Sequence, residues 1–413
     1  MRPKGLALSL AMVALHLTAW TASAQAEVGY ISRYNRGNGQ LDKSLSGTGY
    51  IIGTGLEGYD SGVTVDSSGR IIVIGNLLSG GFLVGRFNQD GSADSTFGLG
   101  GLTRVDDARN DSARRVAVDD RGRIYVLGNG FSGSYVVRFT ASGAIDTSYH
   151  GGSLTPGFVD ITGSNVNSAT DFDIAGDGSA AVLSDTGGHG YRYTKIDPTG
   201  LVQFNKSDTF DQQGAPFGNG DQGFAIKLDL NGRIVIAGES HERLMAVRRY
   251  TTLGNRDGSF NRGSAVLMDF GYPQQAGTDI EVDGAGQIII VGTSFSNATQ
   301  AHFLLLRLTD IGAFERQGDF QRGHSTTDPA LFMPSLARSG SFYFVATGSV
   351  VDAQHYEISL FRLSASTFDF APSFAQTGWM HARPPGFNFA VPLSLAIDPT
   401  TAFPVTAGVV DNR

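Results

Sequence analysis

The chain has 413 residues, 56 of them glycine and 13 proline, with no cysteine and a formal net charge of −8. Lack of Cys excludes a disulfide framework, a thiolate nucleophile, a Cys-ligated metal, c-type haem and a bacterial lipoprotein anchor. The mild, dispersed acidity argues against nucleic acid or anionic lipid as a partner, and the glycine-rich balance is that of a turn-rich all-β protein.

Residues 1–26 read as a secretory signal peptide. Arg2 and Lys4 supply the positive start, LALSLAMVALHLTAW (6–20) the apolar segment, and TASAQA (21–26) the small residues, with cleavage after Ala24 or Ala26. A membrane anchor needs about 20 apolar residues, and this run is shorter. No later segment is apolar enough to span a bilayer, so the mature chain, 27–413, is expected in the periplasm or the medium without membrane insertion. Loss of Arg2 and Lys4 takes the net charge from −8 to −10.

Next, YISRYNRGNGQLDKS reads as the third and fourth strands of a four-stranded unit whose first two are missing (half blade 28–56). A phrase then recurs: a short apolar run, a polar turn ending in Gly, and a second apolar run that usually ends in Gly. It stands at VTVDSSGRIIVIG (63–75), VAVDDRGRIYVLG (116–128), FDIAGDGSAAVLS (172–184), IKLDLNGRIVIAG (226–238), IEVDGAGQIIIVG (280–292) and LARSGSFYFVATG (336–348). The turn residues Gly69, Gly122, Gly178, Gly232, Gly286 and Gly340 are 53, 56, 54, 54 and 54 residues apart. That period predicts a propeller, solenoid or array. In the first unit SGVTVD, RIIVIG and FLVGRFN read as three strands, and SADSTFG begins a fourth. Four antiparallel strands per repeat describe a propeller blade. The blades fall at about 57–106, 107–164, 165–218, 219–271, 272–328 and 329–388. LSLAIDPTTAFPVTAGVV (393–410) then supplies a first and second strand in a closing half blade, 389–413. Joined to the N-terminal half, it makes a single seven-bladed β-propeller with no open sheet edge.

A second signature lies eight residues apart across the third strand's turn: Arg86 with Asp94, Arg138 with Asp146, Arg249 with Asp257, and Arg307 with Glu315. Facing opposite charges stabilise a hairpin by about 0.2–1 kcal/mol, and repetition in successive blades marks these as structural pairs. The third blade departs, with Lys195 and Gln203 in those places. The matching text SSGRIIVIG, GRFNQDGSADSTFG, DRGRIYVLG, VRFTASGAIDTSY, LNGRIVIAG and RRYTTLGNRDGSF resembles the uncharacterised delta-60 repeat family of bacterial β-propeller proteins. The resemblance runs over 28–413 and is strongest in blades 1, 2 and 4. It implies a fold and export, and no catalytic residue.

A propeller's loop face is its default binding surface. Eleven residues before each turn Gly stand Gly58, Asp111, Asn167, Asp221, Gln275 and Pro329. Asp111, Asn167, Asp221 and Gln275 are the candidate ligand-binding residues at a channel mouth: such oxygens suit Ca²⁺, another divalent cation, or sugar hydroxyls. The same residue types also cap loop backbone. His189, His241, His302 and His355 fall on that face, in or beside loops of different blades, where solvated positions suit them better than metal ligation. Trp379 reads as a core residue, with sugar stacking the alternative if it is exposed. No G-x-S-x-G, H-E-x-x-H, P-loop or dinucleotide fingerprint is present. The composite expectation is a monomeric, cofactor-less binding or scaffold protein for a protein or glycan. The alternative is a metal-assisted hydrolase or lyase at the channel mouth.

Overall fold

The computed structural model describes residues 28–57, 60–77, 80–105, 112–130, 133–161, 168–187, 190–210, 220–297, 300–321, 333–352 and 355–411. Apart from one short 3₁₀ turn, Asn261–Gly263, the regular structure among them is β. No helix there is long and apolar enough to cross a membrane.

The chain opens with β1 (Val28–Arg33) and β2 (Tyr50–Glu57). Five four-stranded antiparallel sheets follow, each built from consecutive strands. They are β3 (Asp60–Val65), β4 (Ile71–Asn76), β5 (Phe82–Phe87) and β6 (Leu102–Val105); then β7 (Ser112–Val118), β8 (Ile124–Gly130), β9 (Gly133–Phe139) and β10 (Phe158–Asp160). The third is β11 (Ala169–Ile174), β12 (Ala180–Asp185), β13 (Tyr191–Ile196) and β14 (Val202–Asp208). The fourth is β15 (Gln222–Leu228), β16 (Ile234–Glu239), β17 (Met245–Tyr250) and β18 (Val266–Met268). The fifth is β19 (Gln274–Val282), β20 (Ile288–Asn297), β21 (Gln300–Leu308) and β22 (Phe314–Gln321). The remaining strands are β23 (Ser335–Ser339), β24 (Phe342–Asp352), β25 (His355–Ser364), β26 (Trp379–Ala382), β27 (Phe389–Ile397) and β28 (Pro404–Asp411). With β1 and β2 they form an eight-stranded sheet. Its two halves, β23–β26 and β27–β28–β1–β2, meet at one parallel bridge, Tyr356 to Phe389.

The core clusters lie between consecutive sheets or between the two halves of the eight-stranded sheet. Ile72, Ile74 and Val84 of the first pack on Val116, Ile124 and Val126 of the second. Ile31, Val405 and Ala407 pack on Val63, Ile71 and Val73, so the strands from the two ends of the chain share a core with the first sheet. The first strands also touch in series: β3 with β7, β7 with β11, β11 with β15, β15 with β19, β19 with β23, β23 with β27, and β27 with β3. Face-to-face sheets around contacting inner strands are the architecture of a β-propeller.

The recurring phrase has a physical basis at both its turn and its final glycine. Asp66 Oδ1 accepts the amides of Ser68 (2.9 Å) and Arg70 (3.0 Å), while Gly69 takes φ +76°. Asp119, Asp229 and Asp283 hold the same turns in later sheets. The first strand then bulges at one repeated place, between Asp60 and Gly62, Ala113 and Arg115, Ala169 and Asp171, Gly223 and Ala225, Gly277 and Asp279, and Pro392 and Ser394. At Gly238 a Cβ would meet Gln222 O at 1.9 Å; at Gly292, Ala276 O at 2.1 Å; at Gly408, Val391 O at 2.0 Å. The carbonyl beside the bulge occupies the space of a side chain, which is why the second strand carries glycine there.

One expectation is corrected. SADSTFG does not begin the fourth strand. Ala93 makes a single bridge to Phe87, and β6 starts only at Leu102. Asp94 turns the chain between them by accepting Thr96 N (3.0 Å) and Thr96 Oγ1 (2.6 Å), a local bond that competes with ladder formation.

Candidate functional site

The four charge pairs form, and each does more than join a hairpin. Nε of Arg86, Arg138 and Arg249 lies 2.8 Å from Asp94, Asp146 and Asp257, and Arg307 Nε lies 2.9 Å from Glu315. Nη1 of each arginine donates to a carbonyl in the next sheet: Arg86 to Ala141, Arg138 to Pro198, Arg249 to Asp310, and Arg307 to Ala365. Arg362 repeats the bond, and its acceptor is the Arg36 carbonyl near the start of the chain. These guanidinium groups therefore bind sheet to sheet, and all four of the paired ones are committed to structure.

Asp221 and Gln275, predicted at the channel mouth, are both fully buried. Asp221 Oδ2 accepts Phe210 N and Oδ1 accepts His241 N, each at 2.6 Å. Gln275 Oε1 accepts Phe270 N at 2.6 Å, and its Nε2 donates to Asp269 Oδ1 (2.9 Å) and Tyr272 O (3.0 Å). A cation would have to displace backbone amides to use either oxygen set. Asp111, Asn167, Gly58, Asp328 and Pro329 lie outside the described residues, as does His189.

The loops so fixed present a polar and aromatic surface. His241 and Glu242 are exposed. Arg243 reaches back to Glu239 at 3.0 Å. Beside them, Tyr272 donates to Asp319 Oδ2 (2.6 Å), and His302 Nδ1 lies 2.7 Å from Asp319 Oδ1 and 3.0 Å from Tyr272 Oη. The Tyr272 hydroxyl is pushed up to about 12, by burial first and then by the adjacent Asp319 carboxylate. Among the described residues no three His, Cys, Asp or Glu side chains are grouped to hold a metal ion.

The inner strands carry charges that the sequence reading passed over. Arg115 Nε lies 3.1 Å from Asp171 Oδ1, Lys227 Nζ 3.4 Å from Asp173 Oδ1, and Arg338 Nη1 3.0 Å from Asp283 Oδ2, each across neighbouring sheets. Asp171 Oδ2 also accepts Ile226 N (2.9 Å), and Asp279 Oδ2 accepts Leu336 N (2.8 Å). Burial pushes Asp171 up to about 6, against the pull of Arg115, and Asp279 adds to the rise. Burial likewise pushes Asp279 up to about 6, opposed by the Leu336 amide. Lys227 is held above its usual range chiefly by Asp173 and Glu281. These side chains are closely surrounded yet still reached by solvent, as suits a narrow wet passage between inner strands. A signal for them existed: Arg115, Asp171 and Asp279 stand seven residues before a turn Gly, and Asp173, Lys227 and Glu281 five before.

A family described as a domain of unknown function (DUF5122) beta-propeller matches residues 67–97 and 122–149, which supports a β-propeller repeat family. No curated protein matches the chain. Solved structures similar to it include the Nup133 β-propeller domain of Vanderwaltozyma polyspora, at 10% identity and a TM-score of 0.48, covering 94% of this chain and 99% of that one. Another is the PQQ-bound aldose sugar dehydrogenase of Streptomyces coelicolor, at 11% identity and a TM-score of 0.37, covering 70% of this chain and 87% of that one.

Proposed function

We propose that this chain is an exported, non-catalytic binding or scaffold protein that holds a protein or glycan partner on its loop face. Its frame is a closed seven-bladed propeller of the delta-60 repeat kind, with residues 1–26 removed on export. Ring closure is supported by pairing of β1 with β28 from Val28–Val410 to Arg33–Val405, by contact of β27 with β3, and by the Arg362 bond to the Arg36 carbonyl. Binding is supported above all by Asp221 and Gln275, whose buried side chains hold the loops at 210, 241 and 269–272 in one arrangement. A surface organised before its partner arrives loses less entropy on association. Metal-assisted hydrolysis or elimination would need convergent oxygens. Of the four candidates, the two described are engaged by loop amides.

The test is site-specific photo-crosslinking in the producing cell. A crosslinker replaces His241 or Tyr272 on the loop face, or Leu230, exposed in the turn at the opposite end of β16. Discrete adducts are expected from the first two positions and not from the third. Adducts from Leu230 alone, or from none, overturn the reading. Fractionation of the same cells checks export.

A further inference from the structure

Trp379 is not in the core. It is 36% exposed, against the expectation of a core residue, and it stands on β26 at the outer edge of the sheet that begins with β23. The register fixes its neighbours. Trp379 pairs with Phe361, Met380 with Leu360, His381 with Ser359, and Ala382 with Ile358. Alternation along antiparallel strands therefore puts Trp379, His381 and Arg383 on one face, over Phe361, Ser359 and Glu357. That face opens into a cleft of about 440 Å³ whose walls include Glu357, His381, Arg383, Pro385, Phe387 and Asn388.

The cleft is partly apolar and partly built from planar polar groups. Ser359 Oγ, fully buried, lies 2.6 Å from His381 Nδ1 and 2.5 Å from Ser349 Oγ, which fixes the imidazole. The imidazole in turn meets the Trp379 ring edge-on at 4.8 Å, so the indole stands just beyond the cleft, against the His381 wall. Trp379 itself rests on Phe361 at 6.4 Å. Arg383 Nη1 donates to Asn388 O at 3.3 Å, which anchors one arm of its guanidinium. Glu357 is half-buried, and its side chain makes no hydrogen bond or ion pair among the described residues. A carboxylate kept from full hydration without a partner is suited to accept hydroxyl protons from a ligand. Arg383 to Trp379 spans four residues of strand, about 13 Å at the usual rise, which is longer than one sugar ring.

We propose that this cleft binds a neutral oligosaccharide. Its hydroxyls would meet Glu357 and Arg383, and the C–H face of a following ring would lie on Trp379. The opposite charges of Glu357 and Arg383 cancel, which favours an uncharged polyol over a uronate or sulfated chain. The strip lies at the loop-face end of β25 and β26, so the inference rests on the glycan branch of the proposed function and gives it a place and a ligand class.

The test is calorimetric titration of the mature chain with cellohexaose, xylohexaose, maltohexaose and chitohexaose, with polygalacturonate as the anionic comparison. At least one neutral hexasaccharide is expected to bind saturably. Trp379→Ala should weaken it roughly tenfold, Glu357→Gln should weaken it too, and Trp379→Phe should recover part of the loss. Glu357→Gln keeps the side chain's shape and should leave the thermal midpoint unchanged, whereas Trp379→Ala gives up the ring's packing on Phe361 and His381 and should lower it modestly without unfolding the chain at the titration temperature. Failure of every neutral sugar to bind, or stronger binding of polygalacturonate, overturns the inference. So does neutral-sugar binding that is indifferent to Trp379→Ala and Glu357→Gln. The crosslinking from His241 and Tyr272 is independent of this cleft, so it can succeed where the sugar fails, and the two failures are told apart.

Discussion

Asp171→Asn should make the protein more stable at neutral pH and leave it little changed in acid. The carboxyl is pushed from 3.8 to about 6 on folding, so the folded state binds its proton more tightly than the unfolded chain. Stability contributed by this group therefore rises as pH falls through about 6, and levels off below the unfolded value near 4. Two units correspond to about 3 kcal/mol of destabilisation carried by the ionised form above pH 7. Asparagine removes the charge and keeps an oxygen for Ile226 N. It also forfeits the pair with Arg115, whose side chain is 41% exposed and whose pull is already contained in the net rise to about 6. The net gain is about 3 kcal/mol at pH 8, falls to about 1 kcal/mol by pH 4.5, and vanishes only below the unfolded value near 4. Urea unfolding of both proteins at pH 8, 6 and 4.5 measures it. A difference between them that does not change with pH would refute the argument, whatever its sign. It would mean that water reaches Asp171 well enough to keep its carboxyl ordinary.

The remaining expectations concern the frame. Gly238→Ala should cost about 1–3 kcal/mol or more, since its Cβ would sit 1.9 Å from Gln222 O. Gly232→Ala should cost nearer 1 kcal/mol, because that site has φ +72° but an added Cβ would meet only ordinary contacts, Lys195 Nζ at 3.5 Å and Thr252 Cγ2 at 3.7 Å; thermal midpoints that rank the two the other way would discard the bulge explanation. Arg249→Met leaves Asp257, 9% exposed, with only the more distant Arg233 at 3.8 Å as a charge partner, and should cost about 3 kcal/mol. Arg307→Met should cost about 1 kcal/mol or less, since Glu315 is 27% exposed; equal losses in chemical unfolding would contradict this ordering. Removing residues 404–413 should abolish the cooperative transition in calorimetry, because β28 pairs with both β27 and β1.

The turns were legible because their chemistry is local: an apolar run, an Asp, and a Gly at positive φ in the tight hairpins at Gly69 and Gly122. The bulge was not legible, since one inserted residue such as Arg114 leaves the apolar alternation ambiguous on either side. The fourth strand was misplaced because Asp94-Ser95-Thr96 has both strand spacing and turn-capping groups, and only the carboxylate's bonds to Thr96 decide between them. Asp221 and Gln275 were found by position, but a loop cap and a ligand use the same oxygens, so their roles waited for their partners. Trp379 misled because apolar area argues for burial, and nothing in its neighbours shows that β26 is an outermost strand. The arginine bonds to the next sheet span 55 to 61 residues, beyond the reach of any local pattern.

The pairing of β1 with β28 sets an order of events during synthesis. Val28 is made early and meets Val410 only when almost everything between them exists. At ordinary translation rates, roughly 5–20 residues per second, that is a wait on the order of tens of seconds. β2 covers one edge of β1 at once, but a lone hairpin is marginal in water, and its other edge offers unpaired amides to any strand that fits. The strand that fits best is β28, and a neighbouring copy's β28 fits equally well. Two chains folding close together can therefore exchange their last strands and lock as a swapped pair, an outcome that dilution suppresses.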